Sequence, residues 1–138
     1  MAFREKMESS RGIISVIVLI AVGILIAWGM FGTNMKAEAD HLKITGLHMQ
    51  KIPYSEIAEY KLIEKLPNIT ARTGGFSMAG KRIGNFTTSE YGVIKLFLFN
   101  NSSPFIFIEK TDGKIVILNM KEPVDTRGLY DELAVKIQ

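Results

Sequence analysis

GVIKLFLFNNSSPFIFIEKTDGKIVIL, residues 92–118, decides the fold. Val93–Phe99, Phe105–Glu109 and Lys114–Leu118 are short runs rich in β-branched and aromatic residues, the types that pack best on a pleated surface. Asn100-Asn101-Ser102-Ser103-Pro104 breaks the first pair, and Thr111-Asp112-Gly113 the second. Asp-Gly supplies the positive φ values that a tight hairpin turn needs, so the last two runs are expected to pair. The runs are apolar at successive positions rather than alternate ones. Both faces of this sheet are therefore expected to be covered, by a second sheet, a helix or the membrane.

Working upstream, Leu42–Thr45 alternates, Gly46 offers a turn, and Leu47–Ile52 resumes until Pro53. Tyr54–Ile57 reads as a turn or one helical turn, Ala58–Ile63 as a strand or a helical extension, and Ile69–Thr73 as a short strand running into Gly74-Gly75. Downstream the period changes. Leu129, Leu133 and Ile137 recur at i, i+4 and i+8, with Tyr130 and Ala134 beside them, which predicts an amphipathic C-terminal helix. Pro123 suits its first turn, where a missing N–H costs nothing. Gly128 inside it costs about 1 kcal/mol relative to alanine, so burial of the stripe must hold it.

Near the N-terminus, IISVIVLIAVGILIAWGMF (13–31) carries no charge. At 1.5 Å per residue it spans roughly 28 Å, the thickness of a bilayer core. Trp28 falls where an aromatic ring meets the headgroups. A cleaved signal peptide is the rival: Arg4, Lys6 and Arg11 form a basic n-region, and Ala37-Glu38-Ala39 has the small-x-small pattern. The run is longer than the usual h-region, and Lys36 charges the cleavage region, so an anchor is expected. Gly23 and Ala27 make one small-xxx-small pair, a type of helix–helix contact that is frequent by chance. The basic residues on either side (Arg4, Lys6 and Arg11 against Lys36, Lys43 and Lys51) favour the N-terminus inside by a narrow margin. The expected organisation is a tail at 1–12, a transmembrane helix at 13–31, a polar linker at 32–40 and one domain at 41–138. The expected location is the plasma membrane, with the domain on the extracytoplasmic side.

The chain has 138 residues, room for one domain, with 47% hydrophobic and 22% charged residues. From Thr33 onward Lys and Arg are scattered, Lys81-Arg82 being the one adjacent pair, and nearly balanced by Asp and Glu, which does not fit nucleic acid as a partner. Cysteine is absent, excluding disulfides and thiol chemistry. His41 and His48 have no zinc-hydrolase spacing, and Asp112 and Asp125 lack partners close in sequence. The stretch RTGGFSMAGKRIG (72–84), with Gly74, Gly75, Gly80 and Gly84, matches neither a Walker A loop nor a dinucleotide fingerprint. It is expected to be a bulged, flexible connection between strands. Its sharper reading is an anion or lipid-headgroup contact made by Arg72, Lys81, Arg82 and exposed glycine N–H groups.

LKITGLHMQKIPYSEI (42–57), LP-x-I-x-x-RTGGF (66–76), Gly84-Asn85-Phe86, residues 92–113 and ILNMKEPVDT (117–126) together resemble the bacterial pleckstrin-homology-like (PH-like) domain family. That family more often has Asn where Gly74 stands, and either residue tolerates φ > 0. The resemblance implies a strongly bent β sandwich or barrel capped by a C-terminal helix, often following transmembrane helices. Eukaryotic relatives bind phosphoinositides through a basic first hairpin. Here that hairpin has only Lys43 and Lys51, so the activity is not carried over. The expectation is a non-enzymatic, membrane-anchored module without cofactor or metal. It is expected to act through a protein partner or self-association, with anionic-lipid binding as the alternative.

Overall fold

The computed structural model describes residues 2–31, 34–46, 49–78 and 80–137, without the side chains of 2–9, 28–31, 76 and 78. His48 and the ring of Trp28 lie outside the described residues. The chain divides into two compact units, Met1–Thr33 and Asn34–Gln138.

The first unit is the helix α1 (Ala2–Phe31). The uncharged run continues N-terminally into the tail without a break, and its apolar side chains from Ile13 to Ile26 are exposed. It is long and apolar enough to cross a membrane, a property that anchors and signal sequences share.

The second unit begins with β1 (Asn34–Ala37), β2 (His41–Thr45) and β3 (Gln50–Pro53), an antiparallel three-stranded sheet. Asn34–Ala37 had the composition of linker, but Met35 and Ala37 are buried while Asn34 and Lys36 are exposed, so strand alternation operates here. The linker expected at 32–40 is thus partly the first strand of the domain. A 3-10 turn (Tyr54–Glu56) leads into β4 (Ile57–Ile63), a strand and not a helical extension. Then follow β5 (Ile69–Met78), β6 (Lys81–Thr88), β7 (Gly92–Leu98), β8 (Phe105–Lys110) and β9 (Ile115–Leu118). These six form one sheet in the order β4-β8-β9-β7-β6-β5. Its pairs are antiparallel except β7 with β9, because β8 is laid one strand away and β9 returns into the gap. The β8–β9 hairpin closes at Gly113, whose φ is 86°, with Asp112 Oδ1 accepting from the Lys114 N–H at 2.9 Å.

Both faces of β7–β9 are buried, as their continuous apolar runs require. One face meets the three-stranded sheet across a core of Leu42, Ile44, Ile52, Phe97, Ile108 and Val116, among others. The other carries Phe86, Ile94, Leu96, Leu98, Phe105 and Phe107, with Ile63, Leu66 and Ile69 packed over it. The last element, α2 (Pro123–Ile137), starts with Pro123 in its first turn and buries Thr126, Leu129 and Leu133. It packs on β1 and β8, and Lys136 Nζ donates to the Ala37 carbonyl at 2.7 Å. The architecture is a PH-like β sandwich with a C-terminal helix.

Candidate functional site

The glycine-rich stretch is mostly strand. β5 runs for ten residues through Gly74 and Gly75, and β6 starts at Lys81 after a turn at Gly80, whose φ is 81°. The stretch expected to be a flexible connection is thus paired strand; of the expected bulging, one register shift falls inside it, between Arg72 and Gly74, and another precedes it, between Ile69 and Ala71. Gly74 is not among the glycines with positive φ, so no turn lies there. Gly75 faces Gly84 across the ladder, and a Cβ on it would sit 2.8 Å from the Ile83 carbonyl oxygen and 3.0 Å from the Phe86 ring. This glycine serves close approach of two backbones, not the display of an N–H to an anion.

That distinction has a measurable consequence. Gly75→Ala is expected to cost about 1–3 kcal/mol by overpacking against a backbone oxygen. Gly74→Ala, whose nearest contacts would be 3.6 and 3.8 Å to the Asn85 side chain, is expected to stay within about 0.5 kcal/mol. Urea unfolding of the soluble fragment 34–138 measures both. Equal costs would show that the β5–β6 pair yields at Gly75.

The three basic residues of this region do not converge. Neighbours on a strand point to opposite faces, so Lys81 and Arg82 part company. Lys81 is buried on the inner face, its Nζ 4.8 Å from the centre of the Phe99 ring. Burial pushes its pKa down, and the charge of Lys121 adds to the shift. Arg82 lies opposite Ser77 and shares a shallow groove of about 370 Å³ with Arg72, Thr70 and Phe86. The structure therefore brings Arg72 and Arg82 together and leaves Lys81 out. A pair of arginines on an open surface is a weaker anion contact than the trio the sequence suggested.

His41 lies on β2, its Nδ1 2.6 Å from Asp40 Oδ1, and this contact holds the Asp40 carboxyl below its ordinary value. Among the described residues no group of three or more His, Asp or Glu side chains could hold a metal ion.

The feature that sequence reasoning missed is the free edge of β5. The strand lies at the end of its sheet and, among the described residues, pairs only with β6, and Thr70–Gly74 are exposed. Such an edge presents unpaired backbone donors and acceptors to an incoming strand. The signal was available in Arg72–Met78, where a strand continues through glycines that mark a bulge rather than an end.

The described architecture is a PH-like β sandwich closed by a C-terminal helix, with an apolar helix before it. The Bacterial PH domain family model matches residues 33–137, most of the chain, and the protein belongs to that family. No curated protein and no solved structure matches it.

Proposed function

We propose that this chain is a single-pass plasma-membrane protein whose PH domain is a non-catalytic binding module for a protein partner or a second copy. One observation supports retention of α1: the domain's first strand, Asn34–Ala37, runs into the small-x-small pattern at Ala37-Glu38-Ala39 and lies on the N-terminal side of a cut after Ala39. Cleavage there would remove Met35 and Ala37 from the core, strip β2 of its partner on one side, and delete the carbonyl that Lys136 holds. Burying one such methionine is worth about 1.5–3 kcal/mol, so a signal-peptide reading sacrifices stability that the anchor reading keeps. The narrow balance of flanking charges puts the domain on the extracytoplasmic side.

The partner surface in this reading is the β5 edge, where a strand can add by main-chain hydrogen bonds. Its bulges break the ladder into short segments, which limits indiscriminate pairing and favours a short partner strand. The alternative, anionic-lipid contact at Arg72 and Arg82, has less support once Lys81 is removed from the set.

Two measurements on the full chain in native membranes test the proposal. Alkaline carbonate washing is expected to leave the intact protein in the pellet, and recovery of a soluble form beginning at Asp40 would overturn the anchor. A photo-crosslinking residue at Thr73 is expected to give a discrete protein adduct, absent when it is placed at exposed Val124 on α2. Adducts at both positions or at neither would remove β5 as the partner surface.

A further inference from the structure

β5 and β6 share one face whose middle row has no side chains. The register sets Arg72 opposite Phe86, Gly75 opposite Gly84 and Ser77 opposite Arg82. On β6, positions 82, 84 and 86 fall on the same face by strand alternation. Gly75 and Gly84 therefore leave a bare saddle between two rows, with an arginine in each. The Phe86 ring leans over Gly75, 3.0 Å from where a Cβ would stand, and gives the saddle an apolar floor. Arg72, Arg82, Thr70 and Ser77 line the groove around it. The groove opens onto the free edge of β5, where Thr70–Gly74 are exposed.

Among the described residues no carboxylate lines this groove, and neither arginine takes part in an ion pair. The other edge of the sheet is built differently: on β4, Lys61 lies 3.4 Å from Glu59, so that edge is balanced. Blunting an edge against stray pairing explains a charged residue on it, and so accounts for Arg72. It does not account for Arg82, because β6 lies one strand in.

We propose that the β5 edge takes a strand from a different protein and selects it by an acidic side chain that reaches over Gly75 to Arg72 and Arg82. This inference rests on β5 being the partner surface, and it adds the partner's chemistry. On a strand added to β5, alternate residues stand about 7 Å apart on this face, in the rows of Arg72, Gly75 and Ser77. A residue in the Gly75 row meets no side chain, so Glu or Asp there can extend toward both guanidinium groups. Each guanidinium offers the planar fork that a carboxylate accepts. Main-chain hydrogen bonds along β5 hold any strand; the arginines decide which strand is kept. Charge also decides against a second copy. β5 (ITARTGGFSM) contains no acid, so pairing two β5 edges brings a second set of arginines with no carboxylate to neutralise them.

The experiment uses the full chain in native membranes, with a photo-crosslinking residue at Thr73. The adduct is digested and the partner peptide sequenced by mass spectrometry. That peptide is expected to come from another protein and to carry Asp or Glu within about three residues of the crosslinked position. Arg72→Gln with Arg82→Gln is expected to lower adduct yield per chain about tenfold, a factor of about three from each arginine. Arg72 is exposed and Arg82 half-buried, so neither change enters the core. Arg72→Lys with Arg82→Lys keeps the charge and is expected to keep most of the yield. Arg127→Gln, exposed on α2, is expected to leave it unchanged. No Thr73 adduct in the chain with its arginines intact would overturn the edge and its selection together. A protein adduct of equal yield in the Gln pair, or a partner peptide without a nearby acid, would leave the edge in place and overturn the acidic selection alone. An adduct with lipid, or with a second copy of this chain, would overturn that selection as well.

Discussion

Leu133→Ala is expected to destabilise the domain by about 2–5 kcal/mol, measured by urea unfolding of fragment 34–138. Leu133 is fully buried in the cluster that joins α2 to the inner faces of both sheets, alongside Met35, Leu42 and Ile108. Truncation removes transferred apolar surface and leaves a cavity that strands on two sides cannot readily close, which sets the upper part of the range. Val135→Ala on the same helix is the control: Val135 is 77% exposed, so its change should stay within about 0.5 kcal/mol. A Leu133→Ala cost below that figure would mean that α2 does not close the core. The same burial explains how the helix tolerates Gly128, which is exposed and has open space where a Cβ would stand.

The sequence announced some of these elements and concealed others for physical reasons. β7, β8 and β9 were legible because strands buried on both faces need unbroken apolar runs, and Asp112-Gly113 marked their hairpin. α2 was legible from its stripe. β1 was concealed because a four-residue strand buries only Met35 and Ala37, too few apolar positions to stand out from TNMKAEAD. The middle of β5 was concealed because glycine signals both φ freedom and lack of bulk. At Gly75 the second matters, and Gly74 has no positive φ.

The candidate sites divide in the same way. Arg72, Lys81 and Arg82 are close in sequence, and strand alternation sends Lys81 to the interior. Arg72 and Arg82 lie on different strands, and sheet register places both at one groove. Proximity in sequence gathers charge on a helix or loop, but on a sheet it is register that gathers it. The bare row between the two arginines is legible only once register sets Gly75 opposite Gly84.

The other large effect is expected at Asn119, at the end of the domain where β9 gives way to α2. Its side chain is fully buried and joins two connections: Oδ1 accepts from the Phe99 N–H at 2.8 Å, and Nδ2 donates to the carbonyls of Asn100 and Ser102, both at 3.1 Å. Nδ2 also lies 3.0 Å from Asn100 Oδ1, and Asn100 Nδ2 donates onward to the Lys121 carbonyl at 2.7 Å. One residue thus satisfies the backbone of the β7–β8 connection and ties it to the start of the α2 segment. Asn119→Leu keeps the volume and removes every one of these bonds. Three backbone groups are left without partners, each costing about 1–3 kcal/mol where water does not reach, so a loss of about 3–5 kcal/mol is expected. Asn119→Asp separates hydrogen bonding from volume. It keeps the acceptor for Phe99 but sets a carboxylate oxygen against three oxygens, which favours the protonated acid in the folded state and raises that new group's pKa. A raised folded-state pKa means that the native state binds the extra proton between the ordinary Asp range and that pKa, so the variant's deficit relative to the unaltered domain should be full above the folded-state pKa and shrink as pH falls through it toward the ordinary Asp range. Urea unfolding of both proteins at matched pH values reads the difference. A deficit that does not change with pH, or an Asn119→Leu cost below about 1 kcal/mol, would show that water replaces Asn119 at these carbonyls and that the two connections are held by other contacts.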